Sequence, residues 1–238
     1  MSDTASTLDS HRLAAYTGVR SDIFALVPPA ARRILDLGCS DGALGHALKT
    51  HGVGRVVAGV EFSSPLAERA RERLDLVLHC DLNRPESLDD LQGQRFDCVI
   101  CADVLEHLQQ PDELLQRLRR HLEPDAHLIV SLPNIRHVSA FASIYLGGRF
   151  PRRTRGIFDD THLRWFTIRD GRHLLESAGF AVERTTYALR LGDQGGGRAN
   201  RLLSRLFSAR AHALPPVREF LSYQFAMLAK LTPGTDTK

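Results

Sequence analysis

The chain has 238 residues, 43% of them apolar, and a formal net charge of +3. That is enough to bury one substantial core, and too little positive charge to indicate nucleic acid. No apolar run reaches the roughly 18 residues of a membrane span. The N-terminus carries no apolar signal segment, and the four cysteines lack paired spacing, so a soluble cytoplasmic protein without disulfides is expected.

Residues 1 to about 8 are polar and are expected to fray. Over 10–27 the apolar Leu13, Tyr16, Ile23, Phe24 and Val27 precede Pro28-Pro29, which predicts one or two helices. Residues 1–31 are thus expected to cap a domain at 32–238. The stretch Ile34-Leu35-Asp36-Leu37-Gly38-Cys39-Ser40-Asp41-Gly42-Ala43-Leu44-Gly45 then reads as a strand, a small-residue turn and a helix N-terminus. Gly38 and Gly42 admit positive φ and the close approach of a ligand, toward which the N–H groups of the helix's first turn point.

A second strand over 56–60 ends at Glu61, and a third over 76–80 ends at Asp81. Asp36, Glu61 and Asp81 therefore stand at the carboxyl ends of three successive strands, the ligand-binding edge of an open parallel sheet. Carboxylates there suit a donor-rich ligand: a ribose diol on Glu61, an adenine amino group on Asp81, an ammonium group near Asp36 and Gly38. A pyrophosphate beside Asp36 would be repelled, which weakens a dinucleotide reading even though Glu61 lies about 20 residues past the glycines.

A turn at Asn83-Arg84-Pro85-Glu86 leads to a fourth strand at about 96–101, ending at Ala102-Asp103, and a helix from Pro111 to His121. Cys98-Val99-Ile100-Cys101 has C-x-x-C spacing, but strand positions three apart face opposite ways, so both are expected in the core. A fifth strand spans 126–132, followed by Pro133-Asn134-Ile135-Arg136-His137, a helical segment at 138–146 and an arginine-rich turn at 147–156. The run Asp159-Asp160-Thr161-His162-Leu163-Arg164-Trp165-Phe166-Thr167 enters a helix at about 168–178 that Gly179 stops. A sixth strand at 181–190, a glycine turn at 192–197, a basic helix within 198–210 and a last strand at 220–230 complete the chain. The basic helix leaves three partners open: a membrane surface, the domain itself, or a second subunit in a homodimer.

Asp36-Leu37-Gly38-Cys39-Ser40-Asp41-Gly42, Gly59-Val60-Glu61, Cys80-Asp81-Leu82 and the run from Phe96 through Asp103-Val104-Leu105-Glu106-His107 resemble the successive motifs of class I S-adenosylmethionine-dependent methyltransferases. The resemblance covers about residues 32–190, and four motifs in order are far more specific than one glycine loop. It departs at Ser40, where the common pattern has its middle glycine. The resemblance implies a Rossmann-like α/β fold with a seven-stranded, mostly parallel sheet in the order 3-2-1-4-5-7-6. The last strand is expected to be antiparallel at the sheet edge, with helices on both faces and substrate-side insertions at about 134–167 and 191–218. It implies S-adenosylmethionine as cofactor, contacted by Asp36, Gly38, Cys39, Ser40, Gly42, Glu61, Phe62, Asp81, Leu82, Asp103 and Val104. Pro133-Asn134 and the Asp-x-His-Leu-Arg-x-Phe-Thr run resemble methyltransferases of polysaccharide and secondary-metabolite pathways, which implies O-methylation of a hydroxyl on a small molecule or saccharide.

Transfer to a hydroxyl needs in-line approach, exclusion of water and a base. His162 is the first candidate base, oriented by Asp160, with His137 second. Arg164, Arg152 and Arg153 are candidate contacts for an anionic acceptor. No H-x-x-x-H spacing occurs, so no metal is expected. A non-catalytic cofactor-binding partner of the methionine-biosynthesis type is the alternative, and the Asp-x-His-Leu-Arg run favours an enzyme over it. A nucleic-acid methyltransferase would carry an Asn/Asp-Pro-Pro-Tyr/Phe tetrapeptide after the fourth strand, where this chain has Ala102-Asp103-Val104-Leu105.

Overall fold

The structure, a computed structural model, describes residues 18–91, 93–190 and 214–232. Tyr16, the glycine turn at 192–197 and the basic segment at 198–210 lie outside the described residues. Seven strands form one sheet: β1 (Arg33–Leu37), β2 (Val56–Glu61), β3 (Leu76–His79), β4 (Phe96–Ala102), β5 (Leu122–Pro133), β6 (Phe180–Leu189) and β7 (Ser222–Leu231). Their order is β3-β2-β1-β4-β5-β7-β6. The first five pair in parallel, and β7 runs antiparallel to both β5 and β6. The last strand is therefore interior, and β6 forms the edge. β7 is mostly buried, with an apolar run from Phe225 to Ala229, as suits a strand paired on both sides.

The helices are α1 (Ser21–Phe24), α2 (Ala43–His51), α3 (Ser64–Arg71), α4 (Pro111–Leu118), α5 (Val138–Phe141), α6 (Ile168–Ser177) and α7 (Pro215–Leu221). They divide between the two sheet faces according to which side chains each strand presents. On one face Ile34, Val57, Cys98 and Ile100 pack with Leu44 and Leu48 of α2, Ala67 and Ala70 of α3, and Ile23 of α1. On the other, Leu35, Val60, Val99 and Cys101 pack with Leu114, Leu115 and Leu118 of α4 and Ile168 and Leu175 of α6. Cys98 and Cys101 thus fall in opposite cores, as strand alternation requires, and both are free thiols.

The expected helix at 138–146 is four α residues followed by a π turn at Ala142–Leu146. It packs through Ala140 and Ile144 on a small third cluster with Ile157, Phe158 and Tyr223. α6 starts with a capping box: the Thr167 side chain accepts the Asp170 N–H, and the Asp170 carboxylate accepts the Thr167 N–H. A further helix, α7, occupies the end of the second expected insertion and leads directly into β7. Among the described residues no helix is long and apolar enough to cross a membrane.

Candidate active site

The strand order reverses between β1 and β4, and the glycine loop after β1 lies at the carboxyl end of that switch point. The loop is wound tightly. Gly38, Ser40 and Gly42 all have left-handed φ, at 71°, 53° and 77°. Ser40 thus adopts the geometry for which the family pattern uses glycine, at a cost of about 1 kcal/mol. A Cβ on Gly38 would stand 2.6 Å from Val104 Cγ2, and one on Gly42 would stand 3.1 Å from the Ala70 backbone. These glycines therefore let the loop pack against β4's end and α3.

The loop's N–H groups are largely used internally. Gly38 and Cys39 donate to the Val60 carbonyl, Gly42 to that of Cys39, Ala43 to Asp41 Oδ1, and Ser40 to Glu61 Oε2 at 2.8 Å. Cys39 is buried, and burial pushes its thiol up. Val104 and Leu82 are largely buried and pack on the main core beside the loop. Phe62, at the end of β2, is 72% exposed.

What the loop leaves for a ligand is carboxyl chemistry. Asp36 is only 3% exposed, and its burial, then the neighbouring Glu61 carboxylate, push its pKa up to about 7. Glu61 is fixed by the N–H groups of Ser40 and Ser63, each at 2.8 Å. Each of its oxygens accepts one of these bonds and retains a second lone pair. Asp81 is held by its turn, with Oδ1 accepting from the Asn83 N–H and side-chain amide. This acceptor set, with one buried acid whose pKa is raised, fits a positively charged ligand bearing a diol and an amino group.

Asp103 ends β4 with φ 58°, a strained value for a non-glycine residue. Its carboxylate accepts from Ser131 Oγ at 2.5 Å, from Gln224 Nε2 and from Arg20 Nη1. Arg20 also forms a two-point pair with Asp22, so the segment before α1 is tied to the end of β4. Arg20, Ser131 and Gln224 were absent from the sequence-based candidates, because each joins Asp103 only through folding.

Beyond Asp103 the insertion folds back over the Leu105–His107 turn. The N–H groups of Leu163 and Arg164 both donate to the Glu106 carbonyl, and the Arg164 guanidinium donates to the Gln109 carbonyl. Arg164 thus clamps the insertion. His162 stands edge-on to His107 with ring centres 4.8 Å apart. Its Nδ1 lies 3.2 Å from the Ile157 carbonyl. A carbonyl only accepts, so this nitrogen carries the proton and Nε2 keeps its lone pair. Burial, then the neighbouring His107, hold the His162 pKa down, and the ring is neutral near pH 7.

The fields of the Asp159 and Asp103 carboxylates oppose that shift, while Asp160, the expected orienting acid, is exposed. Burial works against ionising Asp159, but hydrogen bonds from Thr161 and the fields of His162 and His107 outweigh it and hold its carboxyl low. His137 is corrected as well. Its Nδ1 accepts the Ser139 N–H at the start of α5, and its Nε2 donates to the Arg190 carbonyl at 2.8 Å. Fully buried with both nitrogens engaged, it caps a helix and has no lone pair left for a substrate. Arg152 is exposed, and Arg153 pairs its backbone with Phe158.

Glu106 was also missed. It is 1% exposed, its Oε2 has no partner, and burial followed by the Asp103 carboxylate push its pKa well above the usual range. Ligating atoms of Glu106, His107 and His162 lie within 4.8 Å of one another, the one such metal-capable group among the described residues. Local spacing offered no sign of it, because His162 arrives from 55 positions further along the chain.

A family model described as a methyltransferase domain matches residues 8–185. The ubiquinone biosynthesis O-methyltransferase of Xanthomonas oryzae pv. oryzae is 31% identical over 146 residues, covering 59% of this chain and 59% of that protein. Its namesake in Coxiella burnetii is 28% identical over 124 residues and 50% of each chain. The chain therefore spans little more than half the length of these curated relatives. Among solved structures, a SAM-dependent methyltransferase from Archaeoglobus fulgidus superposes with a TM-score of 0.61 at 19% identity, over 91% of this chain and 96% of that one. The magnesium protoporphyrin IX methyltransferase of Synechocystis PCC 6803 with bound SAH gives 0.57 at 18%, over 95% and 83%. At these identities the superpositions speak for the fold.

Proposed function

Because the chain belongs to the class I S-adenosylmethionine-dependent methyltransferases, we propose that it moves a methyl group from that cofactor to a hydroxyl oxygen of a small molecule. The observation that carries the oxygen acceptor is His162, a neutral imidazole with Nδ1 committed to a carbonyl and Nε2 left to accept a proton. The O-methyltransferase relatives support the same acceptor class.

Bound S-adenosylmethionine supplies an electrophilic methyl group on a positively charged sulfur. Glu61 takes the ribose diol, Asp81 the adenine amino group, and Asp36 the positive charge of the amino-acid end. Gly38, Ser40 and Gly42 set the loop against which these groups rest. The insertion closes over Glu106 and excludes water from the acceptor's side. With the cofactor bound, His162 Nε2 would take the hydroxyl proton as the acceptor oxygen bonds to the methyl carbon and the methyl–sulfur bond breaks, its electron pair returning to the sulfur, and Asp159 would stabilise the resulting imidazolium. Arg152 and Arg153 stand in this reading as contacts for an anionic group on the acceptor.

Calorimetric titration with S-adenosylmethionine and S-adenosylhomocysteine, with nicotinamide dinucleotides as controls, tests the first half. Saturable binding of the first pair alone is expected, and binding of dinucleotides instead would overturn it. With an acceptor from a panel of phenols, catechols and sugars, His162→Ala is expected to keep cofactor affinity and lower kcat about 10²- to 10⁴-fold. Unchanged turnover would remove His162 as the base.

A further inference from the structure

The outer edge of the insertion has a surface that the transfer reaction does not use. Residues 138–146 contain no charged side chain, although the segment lies at the surface. Its inner face is accounted for, since Ala140 and Ile144 pack on Ile157, Phe158 and Tyr223. Its outer face is apolar too. Phe141 and Tyr145 stack at 5.0 Å while 47% and 74% exposed, and Leu146 is 78% exposed. A surface helix apolar on both faces is outside the usual amphipathic pattern.

The chain then turns through Gly147-Gly148 into Arg149 and Phe150, both exposed. Phe150 meets Trp165, itself partly exposed, edge-on at 5.1 Å. Between 138 and 158 there is no Asp or Glu, and besides Arg152 and Arg153, given above to the acceptor, Arg149 and Arg155 fall there, both exposed. Exposed aromatic and aliphatic side chains beside exposed arginines are the chemistry of the headgroup layer of an anionic bilayer, where rings sit at the interface and guanidinium groups meet phosphate.

We propose that the 141–150 edge of the insertion is a peripheral docking surface for anionic lipid membranes. Charge complementarity favours this occupant over a second copy of the chain. A two-fold contact through the patch would set its arginines against their own equivalents. The contact is interfacial and calls for no spanning helix. It is independent of the acceptor's identity, so it stands or falls apart from the proposed reaction.

The test is co-sedimentation of the full chain with vesicles of phosphatidylcholine alone and of phosphatidylcholine mixed with phosphatidylglycerol, at low and raised salt. Binding is expected only to the anionic vesicles, and it should weaken as salt rises. The double variants Tyr145→Ser/Leu146→Ser and Arg149→Ser/Arg155→Ser should each weaken the association by about tenfold or more, with unfolding midpoint and S-adenosylmethionine affinity unchanged. Absence of vesicle association, or association that both variants retain, would overturn the proposal. So would a wild-type dimer in sedimentation velocity that Tyr145→Ser/Leu146→Ser converts to monomer, since the patch would then belong to a second copy.

Discussion

Asp36 occupies a position where the strand's alternation points into an apolar face, and it is held there beside a second carboxylate. Its folded pKa of about 7 lies above its unfolded value of about 3.9. Its contribution to stability is therefore fully present below about pH 4 and lost as pH rises through about 7. Asp36→Asn should remove this dependence and stabilise the ligand-free protein at pH 8, by an amount on the order of 2 kcal/mol, while weakening cofactor binding. Denaturant unfolding of both proteins from pH 5 to 8 reads the difference directly, and parallel curves would contradict it. The three strand-end acids were legible from the sequence because a short strand and its terminal residue are local features. Which acid has its pKa raised was not, because that depends on burial and on the distance between side chains from different strands. His137 and His162 make the same point: the residue type suggested a base at both, and only the partners of each nitrogen separate a helix cap from a free lone pair.

Among the elements, the junction of β5 with β7 carries a constraint that the strand pattern does not reveal. Asn134, fully buried just past β5, donates its amide to the carbonyls of Glu219 and Ser222 at 2.8 and 2.9 Å, and its Oδ1 accepts the Arg136 N–H. It thereby fixes where α7 ends and the antiparallel strand begins. Asn134→Ala would strand two buried carbonyls and is expected to cost about 2–3 kcal/mol, measured by denaturant unfolding. A change within a few tenths of a kcal/mol would mean that water replaces the amide. The Pro133-Asn134 pair was noticed in the sequence for its family likeness, whereas its structural partners lie 85 and 88 positions away. The capping box at Thr167 and Asp170 sits at the other extreme, since both partners are within one turn and its start at 168 was legible.

For the whole molecule, a ligand that binds the folded state alone raises stability by mass action, by about 2.7 kcal/mol at a hundred times its Kd. Thermal unfolding with saturating S-adenosylmethionine should show that increment, and Glu61→Ala should abolish it. Because Glu61 also holds the Ser40 and Ser63 amides, the variant lowers the ligand-free midpoint as well, and the increment alone reads binding. An increment retained in the variant would remove Glu61 from the site. Apolar periodicity, turn residues and the order of four motifs determined the α/β class, the strand order, the glycine loop and the row of acids at one sheet edge. All of these arise from contacts within a strand, a turn or one crossover. Tertiary structure decided that Asn134 ties the end of β5 to the junction of α7 and β7. It also joined Arg20, Ser131 and Gln224 to Asp103 and seated His162 against His107 and Glu106. Those arrangements join residues far apart in the chain, and they are fixed by packing and by the need to pair buried polar groups, neither of which leaves a local spacing to read.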